Sequence, residues 1–541
     1  MVLERVLLGD HLHPRPEAAP GGDQLPRLPG PALDRLGDDE RRGDLHARPG
    51  CPAVPRTATP IRQRSHRRRT QVTSPDTRPN LVLIVADQLR RQALGAYGDP
   101  NVATPNIDAL AAAGTRFDAA CSTYPVCVPY RFSLMTGEYA HTRFIPSIEW
   151  RMSPAERTLA DELNGAGYRT ALYGKWHLYG NFGHYPGHTV VKTSRTQVPR
   201  PYQGRFQRFA GFDICNDPWD TYYWNEDDPQ AHKIDGFQTD GLFDLAISDL
   251  HKPSDKPWAT VLSVEPPHPI FTAPPEYVER WKDREIILRE NVDTGKDYNK
   301  RGPHGRDLID DLRVYYAMIE NLDDNVGRLV SALRETGQLE NTVIGLTADH
   351  GELLGCHGLL AKQRPWEESL GIPLILSGAG IASTVVADPV STEDLFPTLL
   401  GLAGVVPRDP KPGLDLSPLA RGDETGLDRE GVLLEFVAEM RPGMPFHEET
   451  WRGFRTSRYK YTVLGDAHGG RPWQFFDLEE DPYEMTNLVD SEKHVDELRR
   501  HHTLLRDRLV ETYDHYVLAP AFGCPGLNEW DPEAKFQRRF G

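Results

Sequence analysis

The chain predicts an α/β fold with a large, mostly parallel sheet carrying helices on both faces, followed by a small C-terminal antiparallel sheet with one helix. The run at 80–86 (NLVLIVA) is continuously apolar and 341–348 (NTVIGLTA) nearly so, as in strands buried on both faces. Segments of helical period lie between such strands, which is the alternation of a parallel sheet. After Gly404 the order changes, and strands follow one another with only turns between them.

Order begins at Pro79 and the strand 80–86. Thr104 is placed to cap a helix opened by Pro105, since proline is tolerated in a first turn. Ser153-Pro154 is expected to open another helix, running to Gly165, with Glu156 as the reciprocal capping partner of Ser153. Strands at 168–173 and 258–264 follow. A long amphipathic helix covers 307–335 and stops at Gly337; then come strand 341–348, a short strand at 373–376 and a helix at 392–402. Strands at 431–436, 451–457, 459–464 and 473–477 precede a helix at about 491–513, which reads as a small antiparallel sheet with a helix packed on it. Segments 181–257 and 266–306 are rich in Pro, Gly, Asp and aromatics and too long for plain connections, so they are read as loops over a site. Residues 1–77 carry thirteen Arg, no Lys and eleven Pro without a sustained hydrophobic period, the composition of a disordered or misassigned tail. The domain reading is a tail at 1–77, a main domain at 78–404, an α+β subdomain at 405–515 and an extension at 516–541.

A formal net charge of −17 argues against a nucleic-acid binder, which needs basic surface to displace counterions. Six cysteines in 541 residues are too few for a disulfide scaffold. No run of 18 apolar residues occurs, and the segment 2–8 is interrupted by Glu4 and Arg5, so neither a membrane span nor a secretory leader is expected. The expectation is a soluble, cytoplasmic protein with no membrane partner, monomeric or a homo-oligomer.

The carboxyl ends of the expected strands carry the chemistry. Asp87-Gln88 follows the first strand, Lys175 and His177 the second, His268 the third, and Asp349-His350 the strand at 341–348. In open α/β sheets ligands bind outside the strand carboxyl ends, so four strands deliver these groups to one edge. Asp87, Asp349 and Gln88 offer hard oxygen ligands and His350 a nitrogen, a set suited to Ca²⁺ or Mg²⁺. Lys175, His177, His268 and Lys362 supply positive charge and proton donors. Cys127 has no Cys-x-x-Cys neighbour, and Arg131, four residues on, shares its helix face.

The segment Cys127-x-Pro129-x-Arg131, closed by Thr136-Gly137, resembles the sulfatase signature Cys-x-Pro-x-Arg-x-x-x-x-Thr-Gly. Matching segments at 79–88, 104–108, 174–177, 267–268, 348–358 with Lys362, 394–398, 458–461 and 477–488 extend the resemblance over roughly 78–490. It implies an alkaline phosphatase-like fold whose catalytic domain is the 78–404 segment. It further implies that Cys127 is oxidised to formylglycine by a formylglycine-generating enzyme. A divalent cation, Ca²⁺ with Mg²⁺ or Mn²⁺ as alternatives, would lie among Asp87, Gln88, Cys127, Asp349 and His350. Arg131 and Lys175 would steady the formylglycine hydrate, while His177, His268 and Lys362 bind the sulfate of a small sulfate ester and protonate its leaving oxygen. One geminal hydroxyl would attack sulfur and the other expel the sulfate. Many sulfatases carry Asp-Asp where this chain has Asp87-Gln88; Asp-Gln is similar to the choline-sulfatase and phosphonate monoester hydrolase branch. A phosphonate monoester or phosphodiester substrate therefore stays open, as does an unmodified, anion-binding protein with little turnover. The aromatic segment 219–224 is expected to wall the leaving-group pocket.

Overall fold

The computed structural model describes residues 78–529, apart from 149, 181–194, 253, 299–306, 442, 445, 448, 467 and 468. The expected tail at 1–77 and the end of the C-terminal extension lie outside the described residues. Deletion of 1–77 is expected to leave yield of folded protein and catalytic rate unchanged. An insoluble or inactive truncated chain would refute the tail reading.

The main sheet runs, edge to edge, Thr384–Val386, Thr115–Phe117, Leu374–Gly378, Thr342–Ala348, Asn80–Asp87, Trp258–Pro267, Arg169–Lys175, Arg208–Phe212, Tyr222–Asn225 and His232–Lys233. Its central strands are parallel: Ala86 stands opposite Ala348, Val85 opposite Ser263, and Leu262 opposite Tyr173. Every residue of Asn80–Asp87 is buried, which is why its sequence does not alternate. Leu374–Gly378 pairs antiparallel with Thr342–Ala348, so the sheet is mixed but mostly parallel. The helices form two packed groups on its faces. Leu308–Glu335 gathers Pro105–Ala113, Gln238–Leu250 and Pro275–Trp281; Cys127–Thr136 packs with Leu159–Gly165 and Thr392–Leu402. Asp307 caps the longest helix by accepting the N–H of Asp310 at 2.8 Å.

Several expectations are corrected. The segment 181–257 is more than a loop: Arg208–Phe212 joins the sheet parallel to Arg169–Lys175, and Gln238–Leu250 is a helix. The helix expected from Ser153 starts at Leu159, where Thr158 and Asp161 form the capping box instead. Glu156 is drawn to Arg143, 2.7 Å away, and Arg205 binds the carbonyls of Pro154 and Glu156, holding 153–156 as a turn. Thr104 stands at its helix N-terminus, but its hydroxyl donates to Asp108 rather than capping the backbone.

A second sheet, Gly431–Phe436, Thr450–Thr456, Tyr459–Asp466 and Gly469–Asp477, is antiparallel throughout and packs against the helix Val495–Glu511. His141, in the turn after the helix Cys127–Thr136, ties it to the main body. Its Nδ1 lies 2.6 Å from Glu435 Oε2 and its Nε2 3.0 Å from the Thr512 carbonyl. Both partners only accept, so both ring nitrogens donate and the imidazole is charged. Burial alone would lower its pKa; Glu435 and Asp514 outweigh it and push the value up to about 9. The folded state thus favours the proton relative to the unfolded value of about 6.5. The resulting stabilisation is complete below about pH 6.5 and lost as pH rises through about 9. Urea melts at about pH 6 and about pH 9.5 should show a decline on the order of 3 kcal/mol in the wild type that His141→Gln lacks. Equal declines in both proteins would refute it.

Among the described residues no helix is long and apolar enough to cross a membrane.

Candidate active site

The helix Cys127–Thr136 starts abruptly after an extended Val126, so Pro129 falls in the first turn, where its missing N–H leaves nothing unsatisfied. Gly137 ends the helix at φ 72° and donates its N–H to the Ser133 carbonyl at 2.7 Å. A Cβ there would meet the Phe396 ring at 3.0 Å, so both conformation and space call for glycine. All ten residues of the helix are buried.

Around Cys127 Sγ stand His350 Nε2 at 3.2 Å, Lys362 Nζ at 3.6 Å and Asp87 Oδ1 at 3.7 Å. Lys175 Nζ binds Asp87 Oδ2 at 2.6 Å. Arg131 Nη2 bridges Asp349 Oδ2 at 3.0 Å and Asp87 Oδ2 at 3.4 Å, while its Nη1 donates to Ser263 Oγ at 2.7 Å. The cations thus take the Oδ2 atoms of both carboxylates. The Oδ1 atoms turn toward His350 Nε2, 3.6 Å from Asp87 and 3.5 Å from Asp349. One ligand atom each from Asp87, Cys127, Asp349 and His350 lies within 4.8 Å of the others. Gln88 sits beside them with φ 65°, a strained value for a non-glycine residue. Its Oε1 accepts from Lys362 Nζ at 2.7 Å and its side-chain amide donates to Glu352.

His177 and His268 occupy the neighbouring strand ends. His177 has φ 52° and its N–H donates to the Asp213 carbonyl; the Nδ1 of His268 faces the carbonyl of Pro269. Among the described residues neither imidazole bonds directly to the cluster, but both lie within its field. Burial, then Lys175 and Arg131, hold the pKa of His177 well below the usual range. Burial, then Lys362, do the same for His268. Burial also takes His350 down to about 4. Burial would raise the Asp87 carboxyl, but Lys175, His268, Lys362 and Arg131 overcome it and hold the pKa well below the carboxylate norm. Burial, then Asp87, push the Cys127 thiol up to about 11, so the folded chain presents a neutral, weakly nucleophilic sulfur.

Sequence reasoning missed Glu265, Ser263 and Glu352 as parts of the site. Glu265 Oε1 lies 3.5 Å from Lys175 Nζ, and its carboxylate accepts from the N–H groups of Cys215 and Asn216. It was hidden because the strand Trp258–Pro267 runs past the expected end at 264; a polar residue closing an apolar run was the available signal. Glu352 accepts from the N–H groups of Leu354 and Ala361 and so fixes the loop that carries Lys362. The segment 219–224, expected to wall the leaving-group pocket, is divided between interior and surface. Trp224 is buried in the strand Tyr222–Asn225, whereas Trp219 is exposed and its Nε1 donates to Thr272 Oγ1 at 3.0 Å, near His268.

Residues 79–405 match the family described as Sulfatase. The chain belongs to the sulfatase family. Residues 355–512 match a second family, described as N-sulphoglucosamine sulphohydrolase, C-terminal. The chain is 31% identical to the ulvan-active sulfatase of Formosa agariphila over 421 residues, 76% of this chain and 77% of that protein. It is 28% identical to the choline-sulfatase of Rhizobium meliloti over 447 residues, 76% of this chain and 83% of the relative. The crystal structure of the putative sulfatase yidJ from Bacteroides fragilis superposes with a TM-score of 0.71 at 28% identity, over 82% of this chain and 98% of that one.

The sulfatase is therefore a hydrolase. Its family generally uses a divalent cation and a formylglycine. The residues present fit both groups. The donor set is rich in oxygen, and with the cations on the Oδ2 atoms, Asp87 Oδ1 faces the cysteine and Asp349 Oδ1 lies 3.5 Å from His350 Nε2. Among the described residues Arg131 Nε and His177 Nδ1 are buried without a hydrogen-bond partner, as donors set for a ligand would be.

Proposed function

We propose that this sulfatase hydrolyses a small sulfate monoester to an alcohol and inorganic sulfate. Cys127 would be the formylglycine precursor, converted by a formylglycine-generating enzyme. The observation that carries the reading is the convergence on Cys127 of a buried carboxylate pair and three buried or half-buried cations, Arg131, Lys175 and Lys362. Ca²⁺ would be held by Asp87, Gln88, Asp349 and His350 together with the modified Cys127, and supplies Lewis-acid neutralisation of the sulfate charge. Formylglycine supplies, as its hydrate, an oxygen nucleophile that an unmodified thiol cannot replace. The chain's own groups do the rest. Lys175 and Arg131 hold Asp87 ionised, and Arg131, also bound to Asp349, orients residue 127. Lys362, reaching from one side, and His177 and His268, from the neighbouring strand ends, bind the sulfate oxygens. Burial and Lys362 keep His268 neutral in the folded chain, so it would hold a proton for the leaving oxygen only once the negative charge of a bound sulfate raises its pKa.

A panel of sulfate esters beside matched phosphonate monoesters and phosphodiesters tests the reading. Turnover of the sulfate esters with release of inorganic sulfate supports it, while faster turnover of the phosphonates would move the assignment to that substrate class. Mass analysis of the peptide containing residue 127 separates both from an unconverted anion binder, because formylglycine is lighter than cysteine and resists alkylation.

A further inference from the structure

Arg364 stands two residues beyond Lys362. Among the described residues no carboxylate, carbonyl or hydroxyl accepts a hydrogen bond from it, and burial is the sole influence on its pKa, which is lowered. Arg289 and Arg441, also half-buried, are paired with Glu368 and Glu439. Among the described residues Arg364 lies over the face of Phe446, 5.1 Å from guanidinium carbon to ring centroid. A half-buried guanidinium with no anion among the described residues carries a desolvation cost that a ring face offsets only in part.

The segment around Arg364 is held from both sides. Ala361 and Gln363 have φ of 65° and 78°. Gln363 Nε2 donates to Glu439 Oε2 at 2.8 Å, and Trp451 Nε1 donates to the Gln363 carbonyl at 3.0 Å. Trp366 stacks on His357 at 3.8 Å, and Glu367 is paired with Arg455 and Lys460. The backbone is thus fixed while the guanidinium is left free, which is preorganisation for a ligand. Two residues of chain span at most about 7 Å, and Lys362 Nζ is 3.6 Å from Cys127 Sγ. Gln363 donates its backbone N–H to the Pro125 carbonyl at 3.3 Å, two residues before Cys127, so the backbone that carries Arg364 passes beside the start of the Cys127 helix. On the far side of Arg364, Phe446 meets Trp473 edge to face at 6.2 Å. Trp473, Trp366 and Phe476 then line a cavity of about 560 Å³ that Glu290, Asp293 and Glu484 also line. Aromatic faces bordered by carboxylates suit a ring that is apolar on its face and hydroxylated at its edge, with its anionic group left to Arg364.

We propose that Arg364 is a specificity residue that binds a second anionic group, a carboxylate or a sulfate, on the leaving-group side of a sulfated saccharide. The inference rests on the sulfatase reading of the Cys127 site and names its substrate class. A guanidinium is the side chain that grips a carboxylate or sulfate through paired N–H groups. It also supplies local positive charge on a chain whose net charge of −17 would otherwise repel a polyanion.

The test compares wild type with Arg364→Gln and Arg364→Lys on matched sulfated disaccharides. One bears a uronate, one has that uronate reduced to the alcohol, and one carries a second sulfate in its place; the third distinguishes sulfate from carboxylate recognition. Wild type is expected to favour an anionic form over the reduced form by about tenfold or more in kcat/KM, which is about 1.4 kcal/mol. Arg364→Gln should lose that preference through KM, and Arg364→Lys should regain part of it. A preference absent from wild type, or retained by Arg364→Gln, overturns the assignment. Calorimetric titration of the same disaccharides into Cys127→Ala protein, with and without Arg364→Gln, reads affinity without turnover. It decides on Arg364 even if wild type hydrolyses no sulfate ester, the outcome that would overturn the sulfatase reading instead.

Discussion

Cys127→Ala is expected to abolish sulfate ester hydrolysis and leave the fold in place. The substitution removes one buried sulfur that packs at a helix start, and its neighbours Asp87, Lys175, Arg131 and Asp349 keep their mutual bonds. Stability should therefore change by no more than about 1.5 kcal/mol, the range of small core truncations. Activity is another matter. Losing a general acid costs about 10²–10⁴, and losing the covalent nucleophile costs more, since no other residue near sulfur can replace it. The measurement is turnover of p-nitrophenyl sulfate by purified protein whose circular dichroism and melting match wild type. Activity retained above about a hundredth of wild type would refute the nucleophile assignment. Cys127→Ser should fail equally unless the host converts serine, which mass analysis of the peptide would reveal.

Asp349→Asn is expected to remove metal binding and activity together. Asp349 Oδ2 carries the Arg131 guanidinium and its Oδ1 accepts the Gln88 N–H at 3.0 Å, so this carboxylate links the nucleophile helix to both strand ends that would hold the ion. Asparagine preserves the volume but removes half of the charge of the Asp87–Asp349 pair. It also leaves Arg131 depending on Asp87 alone, and breaking a buried pair costs about 3–5 kcal/mol. Two readouts separate these effects. In wild type, Ca²⁺ at a hundredfold excess over Kd should raise stability by about 2.7 kcal/mol, and chelation should reverse both this and activity. The variant should start lower and gain nothing from Ca²⁺. A variant that still gains the full increment would show that the ion, if bound, sits elsewhere.

The strand ends that carry Asp87 and Asp349 are legible in the sequence. Asp87 and Asp349 stand where apolar runs stop, and a run buried on both faces can only be a central strand, so the two had to share an edge. Elements decided by local pattern alone were less secure. Ser153-Pro-Ala-Glu156 and Thr158-Leu-Ala-Asp161 are equally good capping boxes on paper. Arg205, 44 residues beyond Asp161, decides between them by binding Asp161 and the 154 and 156 carbonyls. Short strands such as Thr115–Phe117 and Thr384–Val386 carry too few residues for any period to emerge, and exist because each finds the other. Glu352 could not be assigned because its role is to accept N–H groups from a loop whose path the sequence does not state.

The burial of the helix Cys127–Thr136 sets a clock. Once this helix is docked, Cys127 is 3% exposed and an outside enzyme has no path to it. Conversion, as proposed for Cys127, would therefore have to come first, on a chain still open. The strands that close over the site arrive late: Thr342–Ala348 and Asn80–Asp87 pair only when the ribosome has passed residue 348. At 5–20 residues per second, the interval between synthesis of residue 127 and residue 348 is roughly 10–40 s. The long-range parallel pairing that makes this sheet slow to assemble is then also what keeps the cysteine within reach. Any change that hastened closure, or a host that translated faster than it oxidised, would yield well-folded and inert protein.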